Sequence, residues 1–215
     1  GVFYQADEST AAPAQCDGST LNLTLLVNGA SSSTADCDGG GSGAFTFSGA
    51  SAVNGDTITI FSTGANKANL VFVSDGNTVS TADLYEDTVI VRDDSDGTVV
   101  MADLEDYDSE QNATDMLYNA TSSPSVAFTA TDTVELHVWT GDTFTPGGTV
   151  TLSPSQASST NDGDLHIGSS ATLNMETNAL SVGGNFISEG TFSASGAQTT
   201  TFTAAVNAQS NEIDL

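Results

Sequence analysis

Apolar and polar residues alternate along this chain in short runs, and turn-forming residues separate the runs. Residues 161–204 show it best: Leu165 and Ile167, then Leu173 and Met175, then Leu180 and Val182, followed by Phe186, Phe192 and Phe202. Gly168-Ser169-Ser170 and Gly183-Gly184-Asn185 sit between the runs. A period of two broken by turn clusters is the signature of β-strands. Strands this short cannot bury a face alone, so they need stacked neighbours or a second sheet. No catalytic dyad, metal cluster or phosphate loop is visible in this stretch, which reads as a set of stacking rungs.

The same pattern continues upstream. Leu21, Leu23, Leu25 and Val27 alternate with Asn22, Thr24 and Leu26; a Ser/Gly-rich loop over 28–43 follows, and Phe45 and Phe47 form a second strand. Asn54-Gly55-Asp56 turns the chain into a strand over 57–61, and 70–73 closes the set. This spacing predicts a β-sandwich module over residues 16–74, immunoglobulin-like or transthyretin-like. A second β unit is expected over 75–154, with strands at 88–91, 98–101, 126–128 and 134–139 and an acid-dense stretch at 102–120. The one helix expected lies near 108–117. Residues 155–215 make the rung segment, solenoid-like or a third sheet. The fold class predicted is all-β.

Residues 1–15 are a strand and linker: Val2, Phe3, Tyr4 and Gln5 form a short apolar segment, and an Ala/Pro-containing polar tether follows. A detached strand ahead of a tether has the form of a donor strand that fills a groove in the next subunit. The alternatives are an ordinary first strand or the tail of a preceding repeat. The chain opens directly on Gly1-Val2-Phe3 with no signal peptide in view, so either one was removed or the sequence is a piece of something longer. The final Asn211-Glu212-Ile213-Asp214-Leu215 ends on a strand-like run, which suggests a partner or further repeat continuing the sheet.

The run 180–192 (LSVGGNFISEGTF), preceded by 163–173 (GDLHIGSSATL), resembles the rung repeats of very large, secreted, adhesin-like surface proteins of bacteria, common in candidate-phylum genomes. The segments 84–93 (LYEDTVIVRD) and 136–148 (LHVWTGDTFTPGG) are similar to parts of such proteins, so the resemblance covers most of the chain. It implies a β-rich, non-catalytic cell-surface or matrix protein. The motifs are tied to architecture and carry no catalytic residues to transfer.

Charge narrows the partners. The chain has 28 acidic and two basic residues among 215, a formal charge of −26. Only 14% of residues are charged and 38% are hydrophobic, which is a globular composition with an acidic surface. Nucleic acid is excluded as a partner, because phosphate contacts need several Lys or Arg and this chain has only Lys67 and Arg92. Anionic membrane surfaces are disfavoured for the same reason, and no apolar run is long enough to span a bilayer. Screening of the self-repulsion must come from salt, divalent cations or a basic partner. Acid excess with scarce Lys also fits a saline habitat.

Candidate chemistry is sparse. Cys16 and Cys37 are read as a disulfide, with two buried thiols as the alternative. A loop of that size closed by a disulfide gains about 3 kcal/mol on chain-entropy grounds, and the bond would place the protein outside the cytoplasm. Asp93, Asp94 and Asp96 resemble part of a calcium loop, although Arg92 stands where an EF-hand needs its first Asp. Asp103, Asp106 and Asp108, with Glu105 and Glu110, form a second crowded set that a hard cation would relieve. Calcium is therefore the one candidate cofactor, against solvated acidic loops. His137 and His166 each alternate with apolar residues and face solvent or a sheet neighbour. Glu135 with Glu189 could supply a glycosidase's carboxylate pair, but any acidic β-protein offers such pairs. Asn22, Asn112 and Asn119 head N-x-S/T sequons. Trp139, Tyr85 and Tyr107 could line a sugar platform, with Trp139 expected to be buried.

The leading expectation is a non-enzymatic extracellular structural protein, a subunit or repeat of a surface filament, stalk or matrix. Its partners would be other copies or neighbouring repeats of a longer chain, assembling by β-strand complementation. The alternatives are an adhesin or glycan-binding module of a larger surface protein and, behind it, a carbohydrate-active enzyme.

Overall fold

The computed structural model describes residues 1–5, 9–11, 23–37, 42–64, 66–79, 81–95, 97–105, 115–123, 125, 127–130, 134–152, 163–203 and 213–214. In chain order the strands are β1 (Phe3–Tyr4), β2 (Leu23–Val27), β3 (Ala30–Ala35), β4 (Asn54–Ser62), β5 (Asn69–Asp75), β6 (Leu84–Tyr85), β7 (Thr88–Asp93) and β8 (Val99–Val100). After helix α1 (Met101–Glu105) come β9 (Tyr118–Thr121), β10 (Ala127–Ala130), β11 (Glu135–Val138), β12 (Thr143–Thr145) and β13 (Thr149–Leu152). The last coils are β14 (Leu165–Ile167), β15 (Thr172–Asn174), β16 (Leu180–Val182), β17 (Phe186–Ser188), β18 (Thr191–Ser193) and β19 (Thr200–Phe202), followed by β20 (Ile213–Asp214).

The fold is all-β, and its main body is a three-faced parallel solenoid. Strands β7, β11, β14, β17 and β20 pair in parallel on the first face. Strands β8, β12, β15 and β18 do so on the second, and β10, β13, β16 and β19 on the third. Consecutive strands thus occupy successive faces, except that β9 pairs antiparallel with β10 at the edge of the third face, and each coil from β11 onward lays three short strands over the previous coil. The stacking begins at β7, so the rungs legible in residues 161–204 are the later coils of a solenoid that starts further upstream. The turns expected at Gly168-Ser169-Ser170 and Gly183-Gly184-Asn185 stand between strands.

The first face continues past β7. Strand β5 pairs with β7 in parallel, and β5, β4, β2 and β3 then pair antiparallel, completing a nine-stranded sheet. In place of the facing sheets of an immunoglobulin-like module, these strands form one sheet that extends the solenoid wall. The loop expected over 28–43 contains β3 because Asn28 and Gly29 both adopt positive φ, 48° and 73°, the geometry of a two-residue hairpin. Phe45 and Phe47 lie outside any strand. They belong to a covering layer, where Phe3, Phe45, Ala82 and Leu84 pack on Leu23, Leu25, Ile58, Ile60, Leu70 and Ile90 of the sheet.

Strand β1 lies in that layer. It pairs with β6, its Phe3 is fully buried, the Phe3 N–H donates to the Gly43 carbonyl at 2.8 Å, and Val2 bridges to Ala44. In this structure the expected donor segment complements its own chain.

The solenoid interior is a second core. Row by row it holds Val89, Leu136, Leu165 and Phe186 on the first face, Val99, Phe144 and Leu173 on the second, and Phe128, Val150 and Leu180 on the third, all buried. Phe192 and Phe202 meet Phe186 edge-on, ring centroids 5.6 and 5.9 Å apart, so the coil of β17, β18 and β19 contributes one Phe from each face, with Phe202 exposed. Among the described residues the one helix is Met101–Glu105; of the helix expected near 108–117, residues 108–114 lie outside the described residues and 115–117 is not helical. Met101 and Leu104, three apart, turn inward, and the Asp103 carboxylate accepts from the Val100 N–H at 2.8 Å in the first turn. Among the described residues no helix is long and apolar enough to cross a membrane.

Candidate metal centre on the outer face of the first sheet

Strand alternation determines what β11 presents. Leu136 and Val138 point into the solenoid core, so Glu135 and His137 project together from the outer surface, two residues apart. The parallel register of β11 and β14 sets His137 directly beside His166. The two imidazoles stack with centroids 4.3 Å apart, and Glu135 Oε1 lies 3.6 Å from His166 Nδ1 and 3.9 Å from His137 Nδ1. One donor atom from each residue can be chosen so that all three fall within 4.8 Å of one another. Among the described residues this is the one group of three or more His, Cys, Asp or Glu side chains so disposed.

The site is enclosed on one side. His137 is only 8% exposed and Glu135 6%, while the side chain of His166, at 21%, forms the open edge. Trp139, the only tryptophan, tilts against His137 at 5.4 Å, and Ile90 is the register neighbour of His137 on β7. Glu135 Oε1 and both ring nitrogens of His137 are buried without a hydrogen-bond partner. Burial, with help from the neighbouring His166, lowers the His137 pKa to about 4 against the opposing pull of Glu135. At neutral pH His137 is thus a neutral imidazole with a lone pair to give. Expected to face solvent or a sheet neighbour, the two histidines are neighbours of each other. The signal was in the pattern Glu-x-His on one strand and a His on a similar Leu-His-Ile/Val run, but only the rung register connects them.

The expected calcium residues are placed differently. Asp93 ends β7 in a buried position; its Oδ1 accepts from the Ser95 N–H and hydroxyl at 2.7 Å each, and its Oδ2 has no hydrogen-bond partner. Asp94 pairs with Arg92 at 2.5 Å. Asp103 is engaged elsewhere, capping α1 and accepting from the Thr57 hydroxyl at 3.0 Å. Asp96, Asp106 and Asp108 lie outside the described residues, as do Cys16, Tyr107, Asn22 and Asn112. Asn119 is exposed on β9, and Cys37 is buried in the covering-layer core and is not a free thiol. Trp139 is partly buried, and Tyr85 stacks on Tyr4 at 5.2 Å. Glu135 opens β11 whereas Glu189 follows the far end of β17, two rungs away on the first face, so they form no facing pair.

Asp142, which no sequence pattern singled out, joins the Asp93 end of the sheet. Burial pushes its carboxyl up to about 6, with the Asp94 and Asp93 charges adding to the shift, against a hydrogen bond from the Asp93 N–H and the charge of Arg92. A carboxyl raised from its ordinary 3.8 contributes stability below that value and loses it as pH rises through 6. His137 acts oppositely: lowered from 6.5 to about 4, it contributes stability above 6.5 that is lost as pH falls through 4. Asp142→Asn is therefore expected to be more stable than the parent at pH 7 and to gain stability more steeply between pH 4 and 6.5. Urea unfolding across that range in the presence of a chelator measures both; an unchanged profile would show that Asp142 ionises freely.

A cleft of about 780 Å³ opens between the covering layer and the sheet, lined in part by Leu25, Phe45, Phe47, Ile58, Ile60 and Phe72. Among the described residues its lining, which also includes Thr46, Ser51, Ser74 and Asn77, has no acidic, histidine or lysine side chain, so these residues offer shape and mixed polar and apolar surface without side-chain acid–base groups. No protein-family model, curated protein or solved structure matches the chain.

Proposed function

We propose that this chain is a non-enzymatic extracellular structural segment, a subunit or repeat of a surface filament, stalk or matrix. The observation that carries the reading is the in-register solenoid: the coils from β11 to β19 each repeat three short strands around an apolar interior, so length is added without changing the cross-section. The strongly acidic composition supports a role in a salty or cation-rich medium, where the self-repulsion is screened. A Cys16–Cys37 disulfide, with Cys37 already seated in the core, would pin the linker to the covering layer. Calcium at Asp93 and Asp94 would neutralise the acidic end of β7.

Assembly between copies proceeds in this reading by exchange of β1. The groove that Val2, Phe3, Tyr4 and Gln5 occupy in their own chain is the groove a neighbouring copy would offer. Because Val2 bridges to Ala44, the pair Val2→Cys/Ala44→Cys reports which chain supplies the strand. Oxidation under assembly conditions is expected to give a ladder of covalent oligomers on a non-reducing gel, absent from each single variant. Cross-linked monomers alone, with no filaments by electron microscopy, would refute assembly by strand exchange.

A further inference from the structure

We propose that Glu135, His137 and His166 bind one divalent transition-metal ion of the zinc class, which ties two adjacent coils of the solenoid together on their outer face. This goes beyond the structural role above and does not depend on it. Two imidazoles and a carboxylate are a donor set suited to zinc and its neighbours, which prefer nitrogen and oxygen at about 2.0–2.2 Å in tetrahedral sites. Calcium and magnesium favour all-oxygen shells instead. Tetrahedral bonds of that length place donors about 3.3 Å apart, and Glu135 Oε1 already stands 3.6 and 3.9 Å from the two Nδ1 atoms. Small rotations of the imidazoles out of their stack would close the remainder.

Two independent observations point to a ligand. First, the three residues are assembled by backbone features that leave little freedom: an i, i+2 pair on one strand and its in-register neighbour on the next. Second, Glu135 Oε1 and both nitrogens of His137 are buried with no hydrogen-bond partner. Buried polar atoms in folded proteins are nearly always satisfied, and an orphaned set at one spot asks for an explanation. A metal ion satisfies the carboxylate and one nitrogen of His137 at once. With three protein ligands, the fourth position falls to water on the more open His166 side. The coils joined are those of β11 and β14, so the ion would act as a staple between neighbouring rungs, placed beside Trp139.

The test is a titration of the chelator-treated full chain with Zn²⁺, followed by calorimetry and by the fluorescence of Trp139. Millimolar Ca²⁺ and 0.5 M NaCl are included because a chain of charge −26 collects divalent ions non-specifically. The expected result is one Zn²⁺ per chain, insensitive to calcium, with a change in Trp139 emission and a raised Tm. His166→Ala removes the most open ligand and is expected to weaken binding by more than about 100-fold, beyond the loss typical of an outer-shell partner. The parent chain loaded with Co²⁺ gives a second reading that needs no variant: intense visible bands of a four- or five-coordinate site. Zinc displaced by calcium, zinc bound equally by His166→Ala, or only the weak bands of hexa-aqua-like Co²⁺ would each overturn the proposal.

Discussion

Replacing Phe144 with Ala is expected to lower the free energy of unfolding by about 3–5 kcal/mol. Phe144 sits on β12 with no exposure, between Val99 of the preceding coil and Leu173 of the next. Its neighbours are held at fixed spacing by the parallel hydrogen-bond ladders, so the walls of the resulting cavity cannot close in without breaking rungs. The cost therefore falls at the upper end of the range for a large-to-small change, where little relaxation is available. Chemical denaturation measures it, and Val100→Ala is the control: Val100 is 39% exposed on the preceding rung and should stay within about 0.5 kcal/mol of the parent. A loss below about 1 kcal/mol at Phe144, against the range expected of a tightly packed site, would mean the interior is looser than the stacked rows describe.

Gly190→Ala is expected to cost about 3 kcal/mol although it adds a single methyl group. Gly190 turns the chain from β17 to β18, directly over the previous corner. A Cβ there would lie 2.3 Å from the Ala171 carbonyl oxygen, 2.5 Å from that of Gly168 and 2.9 Å from the Ala171 nitrogen. These atoms are backbone and already committed: the Thr191 N–H donates to the Ala171 carbonyl at 2.7 Å, and the Ala171 N–H to the Gly168 carbonyl at 2.9 Å. No side chain can swing aside, so the coils must separate at that corner. Gly141→Ala is the informative contrast. Its φ of 86° penalises any L-residue, yet nothing lies within 4 Å of an added Cβ. The expected cost there is the local backbone term alone, about 1–2 kcal/mol. Equal losses at the two positions would remove close coil stacking as the cause.

The legible parts of the fold were those with local causes. The runs at 57–61, 70–73 and 88–91 fall in β4, β5 and β7, and the run at 134–139 contains β11, because alternation and β-branched residues act within one strand. The loop with β3 was misread although its signal, Asn28-Gly29, is local; the hairpin was hidden by the low hydrophobicity of Ala30–Ala35. Phe45 and Phe47 alternate like a strand, yet they serve a covering loop whose backbone pairs with Gly1 and Phe3 at the N-terminus. The helix at Met101–Glu105 was not legible, because its signal is only the pair Met101 and Leu104, inward-facing three residues apart.

The candidate metal centre shows the same division. His137 and His166 are 29 positions apart, and the local Glu-x-His and Leu-His-Ile patterns do not by themselves say that the two meet. Each occupies the outward position of a strand that packs its other face into the core, which the alternation by itself established. Which outward residues meet is decided by the length of each coil, since that sets the register between β11 and β14. The sequence by itself determined an all-β chain of short rungs, an acidic surface without phosphate-binding capacity, and the inward face of most strands, because these follow from residue type and a period of two. Only the tertiary structure decided that the rungs form one solenoid wall with the N-terminal sheet, that β1 fills its own groove, and that a carboxylate and two imidazoles converge. Those outcomes depend on contacts between distant segments, where hydrogen-bond register and close backbone approach carry information that no single stretch contains.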